Sequence, residues 1–366
     1  MTDAAVKQTV VVGVGAVGCR LAAAIRGKPA GHRYLFVDTD SHSLGAHPEE
    51  ETLLIGAAVC GGRGTGKRPE LARRAAVEAE DEIKQALGPA SVVVVAAAFG
   101  GGTGVGAGPM IARFARELGA EAIVGAVDPF VFESSVRAEY ACEALLRAGD
   151  QAEAVVRIPC TLLPDNGGDG PGVRFREAFA AAEEHAAEAA VALVQIVSNP
   201  GMLRVDFGDL RRVLCEPGGA VIGVGRADGA ERVENAIRHA CNSSFLDSHR
   251  LHAAANIALH VAGGDTLSLK EVEEGARAIR AISGADYLLS VDVRPELSDE
   301  VIATVLLSGF SADSEEARPP AELEGPPPPG AFVYEGVNID VPTFLRRSRG
   351  PHARLGGRSS AHRFAR

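Results

Sequence analysis

The sequence predicts an α/β protein: a doubly wound parallel-sheet domain joined by a long central helix to a smaller α+β domain. Three observations predict it. Short β-branched runs alternate with amphipathic stretches through the first half of the chain. One of those runs, residues 92–97, is apolar throughout, as befits a strand buried on both faces of a parallel sheet. An alanine-rich stretch, residues 175–197, then keeps helical composition over unusual length until Asn199-Pro200-Gly201 ends it, and the rhythm changes beyond it.

Taken in order, residues 9–14 read as a strand, 18–25 as a helix, 34–37 as a second strand and 52–55 as a weaker third. Pro69 stands where a helix starts, and residues 70–87 carry helical periodicity. Strands at 92–97, 122–127 and 154–158 then alternate with helices at 105–118 and 134–147. After a Gly/Asp/Pro-rich loop at 164–172 comes the long helix. Strands follow at 220–224, 255–261, 287–293 and 301–307, with helices at 231–241 and 269–282. This divides the chain into residues 1–172, the central helix at 173–199, and a second domain at 200–312. A Pro-rich stretch at 313–337 has the composition of a disordered linker, and residues 338–366 form an apolar-basic peptide with a basic tail.

Composition narrows the function. Hydrophobic residues at 46% and charged residues at 23% are ordinary for a soluble globular protein. From Phe344 onward there are seven arginines and no acid, so the formal charge of −11 leaves the preceding residues at −18. An acidic body argues against nucleic acid along the main surface. The six cysteines are scattered without metal-ligand spacing, and no apolar run reaches membrane-spanning length. Reduced thiols in a cytoplasm are the simplest expectation.

Two glycine-rich turns carry the chemistry. Gly13-Val14-Gly15-Ala16-Val17-Gly18 follows a strand and opens a helix, where backbone N–H groups and the helix dipole favour a phosphate. Asp38, twenty residues beyond Gly18, stands where a dinucleotide fold places its ribose-binding acid, so this motif alone favours a Rossmann oxidoreductase using NAD. The second turn, Gly100-Gly101-Gly102-Thr103-Gly104-Val105-Gly106, reverses that preference. A tight strand-to-helix turn explains one or two glycines, whereas five in seven positions on a second strand point to a polyphosphate held between loops.

That seven-residue run resembles the signature of the tubulin/FtsZ family, and the similarity extends nearly without gaps from Val10 to Phe310. It includes Val37-Asp38-Thr39-Asp40, Gly62-Arg63-Gly64-Thr65-Gly66, Pro129-Phe130-Val131-Phe132-Glu133, and Pro200-Gly201 through Asp206-Phe207. The resemblance implies GTP or GDP, accompanied by Mg, at the C-terminal ends of the first domain's strands, with no metal site made by the protein alone. By position, Gly15, Ala16, Gly18, Arg20, Gly101, Gly102, Thr103 and Gly104 belong to the phosphate loops. Glu133 and Arg137 hold the ribose and phosphate side, Phe179 stacks on the base, and Glu183 accepts from the guanine edge. The core-aromatic reading of Phe179 is equally natural without the resemblance.

The family hydrolyses GTP between subunits, and the resemblance gives that work to Asp206 and Asp209, which sit three apart at a helix start. Helix capping by Asp206 asks for the same residue type. Several positions depart from the family: Arg20, Arg68, Cys160 and Arg204 each stand in place of an asparagine, and Val105 in place of a small or hydroxyl residue. Losing single hydrogen bonds at Val105 and Cys160 costs ~1 kcal/mol apiece, which binding survives; hydrolysis is more exposed, because it depends on positioning. The tail residues Ile339, Val341, Pro342, Phe344, Leu345, Arg346 and Arg347 resemble the peptide through which the family's bacterial members bind membrane-tethering division proteins. The expectation is a cytoplasmic GTPase that polymerises head to tail at the division site. A nucleotide-binding relative that regulates filaments without turnover is the alternative, and Arg204 favours it.

Overall fold

The structure, a computed structural model, describes residues 8–26, 31–130, 133–158, 174–198, 202–203, 207–216, 219–241, 254–283, 286–310, 333–334 and 337–338. The chain divides into two compact units, Met1–Ala317 and Arg318–Arg366. In the first unit the elements are β1 (Thr9–Val14), α1 (Gly15–Arg26), β2 (Arg33–Asp38), α2 (Ser41–Leu44), β3 (Thr52–Leu54), α3 (Ala57–Cys60), α4 (Pro69–Glu78), α5 (Glu80–Leu87), β4 (Val92–Ala98), α6 (Gly102–Glu117) and β5 (Glu121–Val127). There follow α7 (Ser135–Gln151), β6 (Ala154–Ile158), α8 (Phe175–Ser198), α9 (Phe207–Leu214), β7 (Ala220–Ala227), α10 (Arg232–Cys241), β8 (Asn256–Gly263), α11 (Leu269–Ser283), β9 (Tyr287–Val293) and β10 (Val301–Ser308).

These strands form one ten-stranded sheet in the order β3-β2-β1-β4-β5-β6-β7-β10-β8-β9. The first six are parallel and wound outward in both directions from the β1–β4 pair. That order is the doubly wound one, and it places a crevice beyond the C-terminal ends of β1 and β4, where the winding reverses. The sheet does not stop at α8. Strand β7 pairs parallel with β6 through Val156↔Ala220 and Arg157↔Val221, then antiparallel with β10, and so carries hydrogen bonding into the second half. The boundary read at residue 200 from the change of rhythm therefore divides two topologies on one sheet.

Helix α8 lies across that junction. Ala182, Ala186, Ala189, Ala190, Leu193, Val194 and Val197 are buried at helical spacing, and small residues let the helix approach the sheet closely. Val11, Leu193, Ile222 and Leu306 share one core, which joins strands of both halves to α8.

Three local expectations shift. Residues 70–87 form two helices, with Ala79 between them at φ −101° and ψ 19°; the bend lets both α4 and α5 lie against α6. Helices α1 and α6 begin at Gly15 and Gly102, three residues earlier than hydrophobic periodicity indicates. Glycine has poor helix propensity, and tertiary packing overrides it here. In the second unit, Val333–Tyr334 pairs antiparallel with Val337–Asn338, across the end of the stretch read as linker at 313–337. Among the described residues no helix is long and apolar enough to cross a membrane.

Candidate functional site

A cleft of about 800 Å³ opens at the winding-reversal point. Its walls come from the two glycine turns, from α8 and from the segment after β5. At the first turn Gly15 adopts φ +74°, in the left-handed region, which seats the start of α1 over β1. At the second, Gly101 caps α6 without any side-chain hydrogen bond. The first N–H groups of that sixteen-residue helix thus have no helical partner, and Gly101, Gly102, Thr103 and Gly104 line the cleft. Two helix N-termini converge on one space, an arrangement suited to a polyanion.

The glycines divide their labour. A Cβ at Gly18 would lie 2.2 Å from the Ala96 carbonyl oxygen, so Gly18 serves the contact of α1 with β4 and is not among the cleft-lining residues. A Cβ at Gly106 would lie 2.1 Å from the Pro69 carbonyl oxygen, where α6 meets α4. Both glycines belong to packing as well as to the motifs that drew attention to them. Cys19, beneath the first turn, donates from Sγ to the Gly13 carbonyl at 3.4 Å. Burial, helped by the Asp38 charge, pushes its thiol up to about 12, so it stays protonated.

Polar groups fix the rest of the wall. The Thr39 and Thr103 hydroxyls meet at 2.9 Å. Asp38, buried, accepts the Thr39 N–H at 2.7 Å, and Asp40 accepts the His42 N–H at 3.0 Å. Asp128 is held by the Arg157 Nε and Nη2 at 3.2 and 2.8 Å. Glu133 pairs with Arg137 and also accepts the Phe130 N–H at 3.2 Å. Phe130 and Phe179 lie 5.1 Å apart, tilted by 35°, and give this wall an aromatic surface. Arg20 Nη2 meets Glu183 Oε1 at 2.6 Å, so the arginine assigned to a phosphate loop turns toward α8.

Of the residues assigned to nucleotide from sequence, Gly15, Ala16, Arg20, Gly101, Gly102, Thr103, Gly104, Glu133, Arg137, Phe179 and Glu183 all line this one cleft. The sequence reading gave no site role to Asp128 or Phe130. Phe130 lies within the stretch Pro129 to Glu133 that carries part of the family resemblance, and Asp128 directly precedes it. Asp209 lies in the first turn of α9, away from the cleft of its own chain. Asp206 and the peptide from Ile339 to Arg347 lie outside the described residues. Just before Asp206, the Met202 and Leu203 N–H groups donate to the Val291 carbonyl at 2.8 and 3.1 Å, which ties that segment to β9.

With this geometry in place, residues 8–166 match the tubulin/FtsZ family GTPase domain and residues 218–311 the FtsZ family C-terminal domain. The chain is 30% identical over 320 residues to the cell division protein FtsZ of Coxiella burnetii, covering 86% of this chain and 82% of that one. It is 30% identical over 342 residues to cell division protein FtsZ 1 of Pyrococcus horikoshii, covering 91% and 87%. The empty FtsZ dimer of M. jannaschii superposes with a TM-score of 0.75 at 28% identity, over 88% of this chain and 95% of that one. The doubly wound order alone leaves a dinucleotide oxidoreductase open, but matches on both halves of the sheet do not: this chain belongs to the tubulin/FtsZ family.

Proposed function

We propose that this chain binds GTP in the cleft, assembles head to tail, and hydrolyses the nucleotide where one copy meets the next. The observation that carries the proposal is the convergence of two helix N-termini with an aromatic wall and a carboxylate in a single cleft. The N-termini face the phosphates, each contributing about 0.3–1 kcal/mol or more in a partly buried setting. Thr103, held by Thr39, offers its hydroxyl to the same phosphates. Phe179 and Phe130 border the base, and Glu133 with Arg137 flank the sugar. Asp38 and Asp40 provide hard oxygens suited to a hydrated Mg ion, which would neutralise phosphate charge when bound.

Asp209 stands outside its own cleft, which fits a residue that acts on a neighbour. In this reading Asp206 and Asp209 enter the next copy's cleft and orient the attacking water, and the contact is heterologous and builds open filaments. The Coxiella burnetii and Pyrococcus horikoshii relatives are cell division proteins and the M. jannaschii neighbour is an FtsZ dimer, which supports a filament in the division ring. The peptide from Ile339 to Arg347, set beyond a Pro-rich stretch, then binds a membrane-tethering partner in the cytoplasm. Residues 1–172 form the nucleotide-binding part, with 173–199 as the central helix and 200–312 as the C-terminal part.

The test is phosphate release from GTP against protein concentration, with light scattering recorded in parallel. Turnover above a threshold concentration, accompanied by scattering and reduced at least ~100-fold in Asp209→Ala with GTP affinity retained, is the expected outcome. Arg204, in place of the family's asparagine, favours a second reading as a filament regulator. GTP binding without turnover or scattering would establish that reading instead.

A further inference from the structure

The Arg20–Glu183 pair is unexplained by the fold. Its side chains are 54% and 39% exposed, and a surface pair of that kind contributes little to stability. Packing already joins α1 to α8: Leu21 and Ala22 share a buried core with Ala186 and Ala190. Yet both members of the pair line the cleft, on the same wall as Phe179.

A free carboxylate beside a purine accepts two adjacent donors, N1–H and the 2-amino group of guanine. In that arrangement the 2-amino group decides selectivity. Here Glu183 Oε1 is already bonded to Arg20, and among the described residues Oε2 makes no hydrogen bond. Arginine keeps further N–H donors in a fixed plane. The pair therefore shows a base a donor next to an acceptor. Its complement is an acceptor next to a donor, which is the 6-oxo group and N1–H that guanine and hypoxanthine share. Adenine carries a 6-amino donor beside the N1 acceptor, so both contacts would be reversed.

Resting on the nucleotide-site reading above, we propose that Arg20 and Glu183 form one composite base reader that selects the 6-oxo group. The substrate class is then 6-oxopurine nucleoside triphosphates, inosine as well as guanosine, with adenosine rejected. Arg20 is the specificity-determining residue, because it moves discrimination from the 2-amino group to the 6-oxo group.

The test is titration calorimetry of the full chain with GTP, ITP and ATP, repeated on Arg20→Asn, with thermal unfolding as a control for folding. The wild type should bind ITP within about fivefold of GTP, and ATP at least about 100-fold more weakly. In Arg20→Asn the freed carboxylate reads the 2-amino group, and the GTP-to-ITP preference should rise about tenfold. GTP binding with ITP more than about 30-fold weaker in the wild type, or a preference unchanged in Arg20→Asn, overturns the inference and leaves the nucleotide site standing. Binding of none of the three overturns both.

Discussion

A glycine motif read along the chain looks like a single device, but its residues answer to different neighbours. Gly15 needs its positive φ, whereas Gly18 needs only the absence of a Cβ, because Ala96 presents a carbonyl oxygen 2.2 Å from where one would sit. Gly18→Ala must push α1 off β4, and backbone on both sides resists. The substitution should cost roughly 2–4 kcal/mol in urea denaturation. A loss below about 0.5 kcal/mol would mean that α1 shifts freely. The pattern of glycines was legible in the sequence. Which ones face a ligand and which face a strand was not, since that depends on what packs from elsewhere in the chain.

Among elements, β8 carries a polar group where its neighbours are apolar. His260 is 3% exposed, between Ser290 Oγ at 3.2 Å and the Arg294 guanidinium at 3.5 Å. Arg294 is itself held by Asp292 at 2.7 Å and by Gln195 of α8 at 2.8 Å. Burial, reinforced by the Arg294 charge and opposed by Asp292, lowers the imidazole to about 4. The unfolded chain takes up this proton near pH 6.5 and the folded one only near 4, so the contribution is complete above 6.5 and is lost as pH falls toward 4. Between pH 7 and 5 stability should fall by about 2 kcal/mol on this account. Denaturant midpoints for wild type and His260→Asn would check it. The variant should lose most of that pH dependence, and an unchanged slope would assign it to other groups. Hydrophobic periodicity located β8 but was silent on this network, because its members come from three elements far apart in sequence.

For the molecule as a whole, what matters is the continuity of the core. Among the described residues two register pairs join β6 to β7, yet one apolar cluster runs from Val11 through Leu193 to Leu306. A shared core couples the halves more strongly than two ladder pairs could. Residues 1–317 should therefore unfold in one calorimetric transition. Leu193→Ala, at a site 1% exposed, should lower that transition by about 2–5 kcal/mol without splitting it. Two resolved peaks would show that the halves are thermodynamically separate.

By itself the sequence determined the fold class, the order of the main strands and helices, and the two glycine turns, which follow from local periodicity, turn chemistry and motif spacing, each contained within a few turns of chain. The resemblance to the tubulin/FtsZ family, and no local pattern, singled out Glu133, Arg137, Phe179 and Glu183 for the cleft. Tertiary structure decided the rest. It ran one sheet through both halves, bent residues 70–87 at Ala79, set Gly18 to packing, and turned Arg20 from the phosphates to Glu183. The physical reason is the same in each case: the outcome is set by which surface arrives from a distant part of the chain. Arg20 and Glu183 are separated by 163 residues, and no local pattern encodes their meeting.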